Sequence, residues 1–115
     1  MANNSFKRAL SAGVITILLF AFPIIDYRGV STEDRQMWDV VLHSTNKEQM
    51  SHIKKVIIYG REMWGYEDGW YTQGAIIQID KGGFTHPSSL LNHELAHDEC
   101  FRIFHTYKHD KRCFA

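Results

Sequence analysis

Net charge is the first thing this chain lacks. Thirteen Lys and Arg balance thirteen Asp and Glu in 115 residues. No basic cluster stands out, and the pair Lys54-Lys55 is too short to make one. Phosphate binding needs a clustered excess of Lys and Arg, so nucleic acid is not expected as a partner. There is no internal repeat and no low-complexity stretch. With 44% hydrophobic and 23% charged residues the composition is that of a folded protein, and the length suits one small domain.

Acidic residues are missing ahead of Asp26, where Lys7 and Arg8 are the only charged side chains. Behind that pair runs "ALSAGVITILLFAFPII", residues 9–25, with no charge at all. Seventeen residues reach the lower edge of what spans a bilayer as a helix. A basic pair ahead of an apolar run favours a cytoplasmic N-terminus and a C-terminal domain outside. A secretory signal peptide has the same layout, with a cleavage point after Ala21 and Leu19 at its −3 position. An uncleaved anchor is the preferred reading, a cleaved signal the next, and a buried core helix the blandest. The first two divide the chain into an N-terminal membrane or signal segment, 1–28, and a domain, 29–115, that works in the periplasm or outside the cell. If the segment is cleaved, the domain is secreted.

Cysteine is scarce, with only Cys100 and Cys113. An oxidising compartment would permit a disulfide between them. The plainer alternative is a small buried Cys100 and a free terminal thiol at Cys113.

Beyond the linker at Gly29, Ser31 is placed to cap a helix whose first turn holds Glu33 and Asp34. Met37, Trp38, Val40 and Val41 give it an apolar face as far as about Ser44. A second short helix is expected after Asn46. "VIIYG", residues 56–60, reads as a strand. "REMWGYEDG" is a loop, and "WYTQGAIIQID", residues 70–80, is a second strand with Gly74 as a bulge. The two strands are expected to pair as an antiparallel hairpin. After the turn "KGGFTH", Pro87 fits the first position of a helix running to about Phe104. Leu90, Leu91 and Leu95 supply its buried side. The fold class expected is α+β: an N-terminal membrane or signal helix, then a small helix–β-hairpin–helix domain.

The last helix carries "HELAH". His93 and His97, spaced i and i+4, lie on one face one turn apart, so both imidazoles can reach one metal ion. Zinc takes such ligands at about 2 Å in tetrahedral geometry. Glu94 projects about 100° around the helix, where its carboxylate can take a proton from a water without being a ligand. The spelling alone arises by chance, and seven histidines raise that chance. The context favours a metal site over incidental surface histidines: a Pro-started helix, apolar Leu95 and Ala96 inside the motif, and a strand directly upstream.

"LLNHELAH" resembles the active-site helix of the zincin metallopeptidases. The likeness covers about residues 56–114 and is specific at the five motif residues. It implies a zincin-like domain with zinc as cofactor and peptide or protein as substrate. His93 and His97 would be zinc ligands and Glu94 the general base. It also implies a strand at the sheet edge along which substrate lies extended, and "GAIIQID" takes that place. The metzincin pattern is excluded, because Cys100 and Ile103 stand where Gly and the third His belong. The gluzincin pattern needs an acid on a later helix, and only Asp110 follows Asp98 and Glu99. The small SprT-like metallopeptidases place a further His about a dozen residues downstream, which His109 resembles. His109 is therefore the third ligand expected, with His105 next and His86 a distant third. For His109 to reach the metal, the chain must reverse after about Phe104, because a continued helix would point it away. A Cys100–Cys113 disulfide would hold the returned tail.

Tyr71 and Tyr107 could each donate to a developing oxyanion, though packing is the plainer role for both. Trp70 is expected in the core, and Trp64 at a substrate or at a membrane interface. His43 and His52 read as ordinary surface residues. The function expected is a membrane-anchored zinc peptidase or hydrolase acting outside the cytoplasm. The alternative is a non-catalytic, zincin-like binding or assembly protein of the cell envelope. So short a domain has little room for the far wall of a cleft, which a protein partner could complete.

Overall fold

The computed structural model describes residues 21–65, 67–72 and 74–114. Most of the 9–25 run, and with it the anchor and signal readings, lies outside the described residues. Among the described residues no helix is long and apolar enough to cross a membrane.

The first element among the described residues is a strand, β1 (Ile24–Arg28), which takes in the last residues of the apolar run. Helix α1 (Thr32–Ser44) follows, capped as its sequence implies: the Asp34 N–H donates to Ser31 Oγ at 3.2 Å. Trp38 and Leu42, one turn apart, are its buried residues. Val40 is 67% exposed and does not belong to that face, because two residues advance a helix about 200°. A short α2 (Lys47–Ser51) is capped by Asn46, whose Oδ1 accepts from the Gln49 N–H at 3.0 Å. Then come β2 (Lys55–Tyr59), β3 (Gly69–Thr72), β4 (Ile76–Ile79), a 3-10 turn over Lys81–Thr85, and α3 (Pro87–Phe104) with Pro87 in its first turn.

The result is a small α+β domain with one mixed sheet in the order β1-β2-β4-β3. The expected hairpin partners are corrected here. β2 pairs in parallel with both β1 and β4. Val56, Ile57 and Ile58 form a continuous buried run, as suits an interior parallel strand. The antiparallel pair is β3 with β4, both cut from the single strand read over residues 70–80. Gly74 (φ 92°) and Ala75 (φ 62°) break that stretch by reversing the chain, so Gly74 belongs to a turn and not a bulge. β4 is consequently interior, and the strand at the sheet edge beside α3 is β3.

Strand alternation sends Val56, Ile58, Ile77 and Ile79 to one face. There they pack with Trp38 and Leu42 of α1, Met50, Ile53, and Leu91 and Leu95 of α3 in a single core. Each fully buried Ile or Leu contributes about 1.5–3 kcal/mol. Trp70, expected in this core, is 40% exposed instead and packs edge-on against Trp64 with ring centroids 6.1 Å apart.

Candidate metal centre

Helix α3 buries more than its leucines. Glu94 and Asp98 are 3% and 1% exposed and also face inward. Asp98 is fully engaged. It accepts from the Tyr71 hydroxyl at 2.8 Å and from Arg102 Nε at 2.8 Å, fastening the helix to β3. Tyr71, read as a candidate oxyanion donor, thus has its proton committed to Asp98. Burial, and then that hydrogen bond, raise its pKa well above the usual phenol value. Glu94 differs: its Oε2 is buried and has no hydrogen-bond partner among the described residues. Gly69 of β3 makes room for this approach. A Cβ built there would lie 3.4 Å from Glu94 Cγ and 3.0 Å from Leu90 Cδ1.

The tail then turns back. His105 ends α3 in the left-handed conformation (φ 56°, ψ 37°), and its N–H donates to the Phe101 carbonyl at 2.9 Å. The reversal needs no Gly or Pro, although a side chain there costs about 1–2 kcal/mol. Beyond it, Phe101 and Tyr107 stack at 4.5 Å, and Arg112 lies over the Phe104 ring at 3.7 Å. Cys113 meets Cys100 in a disulfide with Cα atoms 5.7 Å apart. Disulfides of this kind persist in oxidising, extracytoplasmic compartments.

The fold-back brings His109 to the motif. One ring nitrogen from each of His93, His97 and His109 lies within 4.8 Å of the others, so the three could hold a metal ion. The Nε2 atoms of His93 and His109 are 3.1 Å apart. Tetrahedral zinc with nitrogen ligands at 2.0–2.1 Å would separate them by about 3.3 Å. Phe114 packs behind the three rings, with centroid distances of 4.7–5.1 Å. Burial first, and then the neighbouring imidazoles, lower the pKa of His97 to about 4; a hydrogen bond to the Tyr107 backbone works the other way. His93 is lowered by the same leading cause, with His109 the next contributor. Both are therefore neutral near pH 7, which is the form that ligates metal.

The other histidines fall elsewhere. His105 packs against Phe101 with ring centroids 6.1 Å apart, and His86 sits beside Thr85 and Asp68, neither in the cluster. His43 stacks on Phe22.

The three histidines and Glu94 share one cavity of about 440 Å³. Gly69, Trp70 and Tyr71 of β3 form part of its wall, Leu90 and Tyr107 another, and Glu67 and Asp68 a third. Desolvation, and then the charge on Glu67, raise Glu94 to about 7. Sequence reasoning missed Glu67, Asp68, Gly69 and Asp98 as parts of the site; Phe114 resembles the aromatic that follows the third histidine in the SprT-like pattern, one residue late. Asp68-Gly69 showed only as a turn signal, Glu67 lies in a loop remote from the motif in sequence, and Asp98, directly after His97, gives no sign in the sequence that it is buried. Comparison with protein-family models, with curated proteins and with solved structures finds no match, so the function rests on the chemistry of this cavity.

Proposed function

We propose that the domain is a zinc-dependent peptidase or related hydrolase of the minimal zincin kind. His93, His97 and His109 would be the ligands and Glu94 the general base. One observation carries this reading: a desolvated carboxylate with an unpartnered oxygen shares a cavity with a three-histidine cluster. A purely structural metal site has no use for such a group, and burying it without a partner is costly. Zinc, when bound, would supply Lewis acidity and lower the pKa of a water.

The residues of the chain do the rest. Glu94, raised to about 7, is poised to accept a proton near neutral pH and return it to a leaving group. The β3 backbone lies along the cavity and has a neighbour on one side only, so an extended peptide can add to its free edge. Tyr107, which lines the same cavity, is better placed than Tyr71 to donate to a developing oxyanion. The disulfide supports an oxidising workplace, and the uncharged run behind Lys7 and Arg8 offers the route to it and a membrane tether.

Metal analysis and peptide hydrolysis test the reading together. Wild-type protein should purify with about one zinc per chain. His93→Ala and His97→Ala should lose it. Glu94→Gln should keep zinc and lose hydrolysis by a factor on the order of 10² or more. Zinc-free wild type would dispose of the metal site. A zinc-loaded wild type that cleaves no peptide would leave the envelope binding protein as the better description.

A further inference from the structure

We infer that the cavity selects substrates with a lysine or arginine side chain next to the scissile bond, through Glu67 and Asp68 with Trp70 beside them. The inference rests on the peptidase reading and adds the substrate class to it.

The charge in the cavity wall has one sign. Among the described residues Glu67 and Asp68 line it, and no lysine or arginine does. Asp68 lies against Gly82 and has His86, at 3.7 Å, as its one basic neighbour among the described residues, with both side chains substantially exposed. Glu67 makes no ion pair or hydrogen bond among the described residues. It lines the same cavity as His93, His97 and Glu94. A second and independent observation in the same cavity points to a ligand. Glu94, 3% exposed, lines that cavity with a buried carboxylate whose Oε2 has no hydrogen-bond partner among the described residues.

The acids are held in place by their loop. The buried Asp80 carboxylate accepts from the Met63 N–H at 2.8 Å and from the Trp64 N–H at 3.4 Å. The Asp80 N–H in turn donates to the Asp68 carbonyl at 2.9 Å. Trp64 packs edge-on against both Tyr59 and Trp70. Met63 and Trp64 on one side of Glu67 and Asp68 on the other are thus tied to Asp80. Trp70 supplies what a long cationic side chain needs besides a counter-charge. Its ring is 40% exposed and lines the cavity, so an aliphatic stem can lie along it and a guanidinium can stack on it. An acidic side chain in the same place would meet two like charges.

The test uses the full-length, zinc-loaded protein and three fluorogenic peptides differing at one position beside the scissile bond: Lys, norleucine or Glu. The lysine peptide should be cleaved with kcat/KM on the order of tenfold above norleucine, and the glutamate peptide below both. Glu67→Gln with Asp68→Asn should narrow that spread to about twofold, and Glu67→Lys should invert the order of lysine and glutamate. Raising salt should narrow the spread in the wild type as well. Binding of the same three sequences as uncleaved peptides to zinc-loaded Glu94→Gln, followed by tryptophan fluorescence, gives a readout that does not need hydrolysis. Preference for lysine in binding without cleavage by wild type would support this inference and defeat the peptidase reading. Equal binding of all three peptides, or a spread that survives Glu67→Lys, would overturn the inference even if every peptide is cut.

Discussion

Helices α1 and α3 press into one core, yet they bury different chemistry. α1 buries Trp38 and Leu42 and none of its three acids: Glu33 and Asp34 sit in the first turn, where they suit the helix dipole, and Asp39 is exposed. α3 buries Leu91, Leu95 and Cys100, and two acids besides. Those acids, four residues apart, are treated in opposite ways. Asp98 has a donor on each oxygen, whereas Glu94 has an oxygen with none. A buried charge with partners is architecture. A buried acid left without one survives only where something else requires it, and here it borders the cavity that holds the three histidines.

The sharpest way to break that comparison is to neutralise each acid in turn. Glu94→Gln should cost hydrolysis on the order of 10² or more with folding and zinc intact. Asp98→Ala should do the reverse in kind: it strands Tyr71 and Arg102 and should lower stability by about 2 kcal/mol, read by urea denaturation. If Glu94→Gln unfolds the protein, or Asp98→Ala leaves its stability untouched, the two acids do not have separate jobs.

Stability against pH sharpens the contrast further. Glu94 in the folded protein is raised from 4.5 to about 7, so the folded state holds a proton the unfolded chain has released. Its contribution is fully present below about pH 4.5 and is lost as pH rises through 7. His97, lowered from 6.5 to about 4, acts oppositely: its contribution is present above 6.5 and is lost as pH falls towards 4. In metal-free protein, Glu94→Gln should therefore gain thermal stability relative to wild type as pH goes from 5 to 8. A difference that stays flat across that range would mean Glu94 is not desolvated.

How far the sequence foretold all this depends on the distance over which each signal acts. The α3 limits, the Ser31 and Asn46 caps and the i, i+4 histidines are local, and each is readable within a turn or two of chain. The sheet order is not. Ile24 and Ile25 carry no period that separates a strand from the apolar run before them, so β1 was invisible. Residues 70–80 read as one strand because Ala75 gives no hint that it will take a positive φ. Placing β2 between β1 and β4 moved the edge from β4 to β3, and that shift decided which backbone lines the cavity. Glu67 and Asp68 came with it, from a loop whose position is set by Asp80. His109 was legible only by asking what a third ligand would require.

The smallest effect expected lies at the turn that brings His109 back to His93 and His97. His105→Gly removes the left-handed strain and should raise stability by about 0.5–1 kcal/mol in a thermal melt, partly offset by the greater freedom of glycine in the unfolded chain. No gain, or a loss, would mean that the His105 contact with Phe101 outweighs the strain.

The Cys100–Cys113 bridge fixes an order of events. Two of the clustered histidines come on a helix, but the third rides on a segment of irregular tail closed at a separation of 13 residues. With the bridge formed, His109 is confined near His93 and His97 and its effective concentration there is high; with the bridge open, that concentration is diluted over everything a loose chain end can reach. Oxidation should therefore precede loading. At equal free zinc the reduced chain should hold less metal than the oxidised one, which would keep the centre empty until the protein has left a reducing compartment.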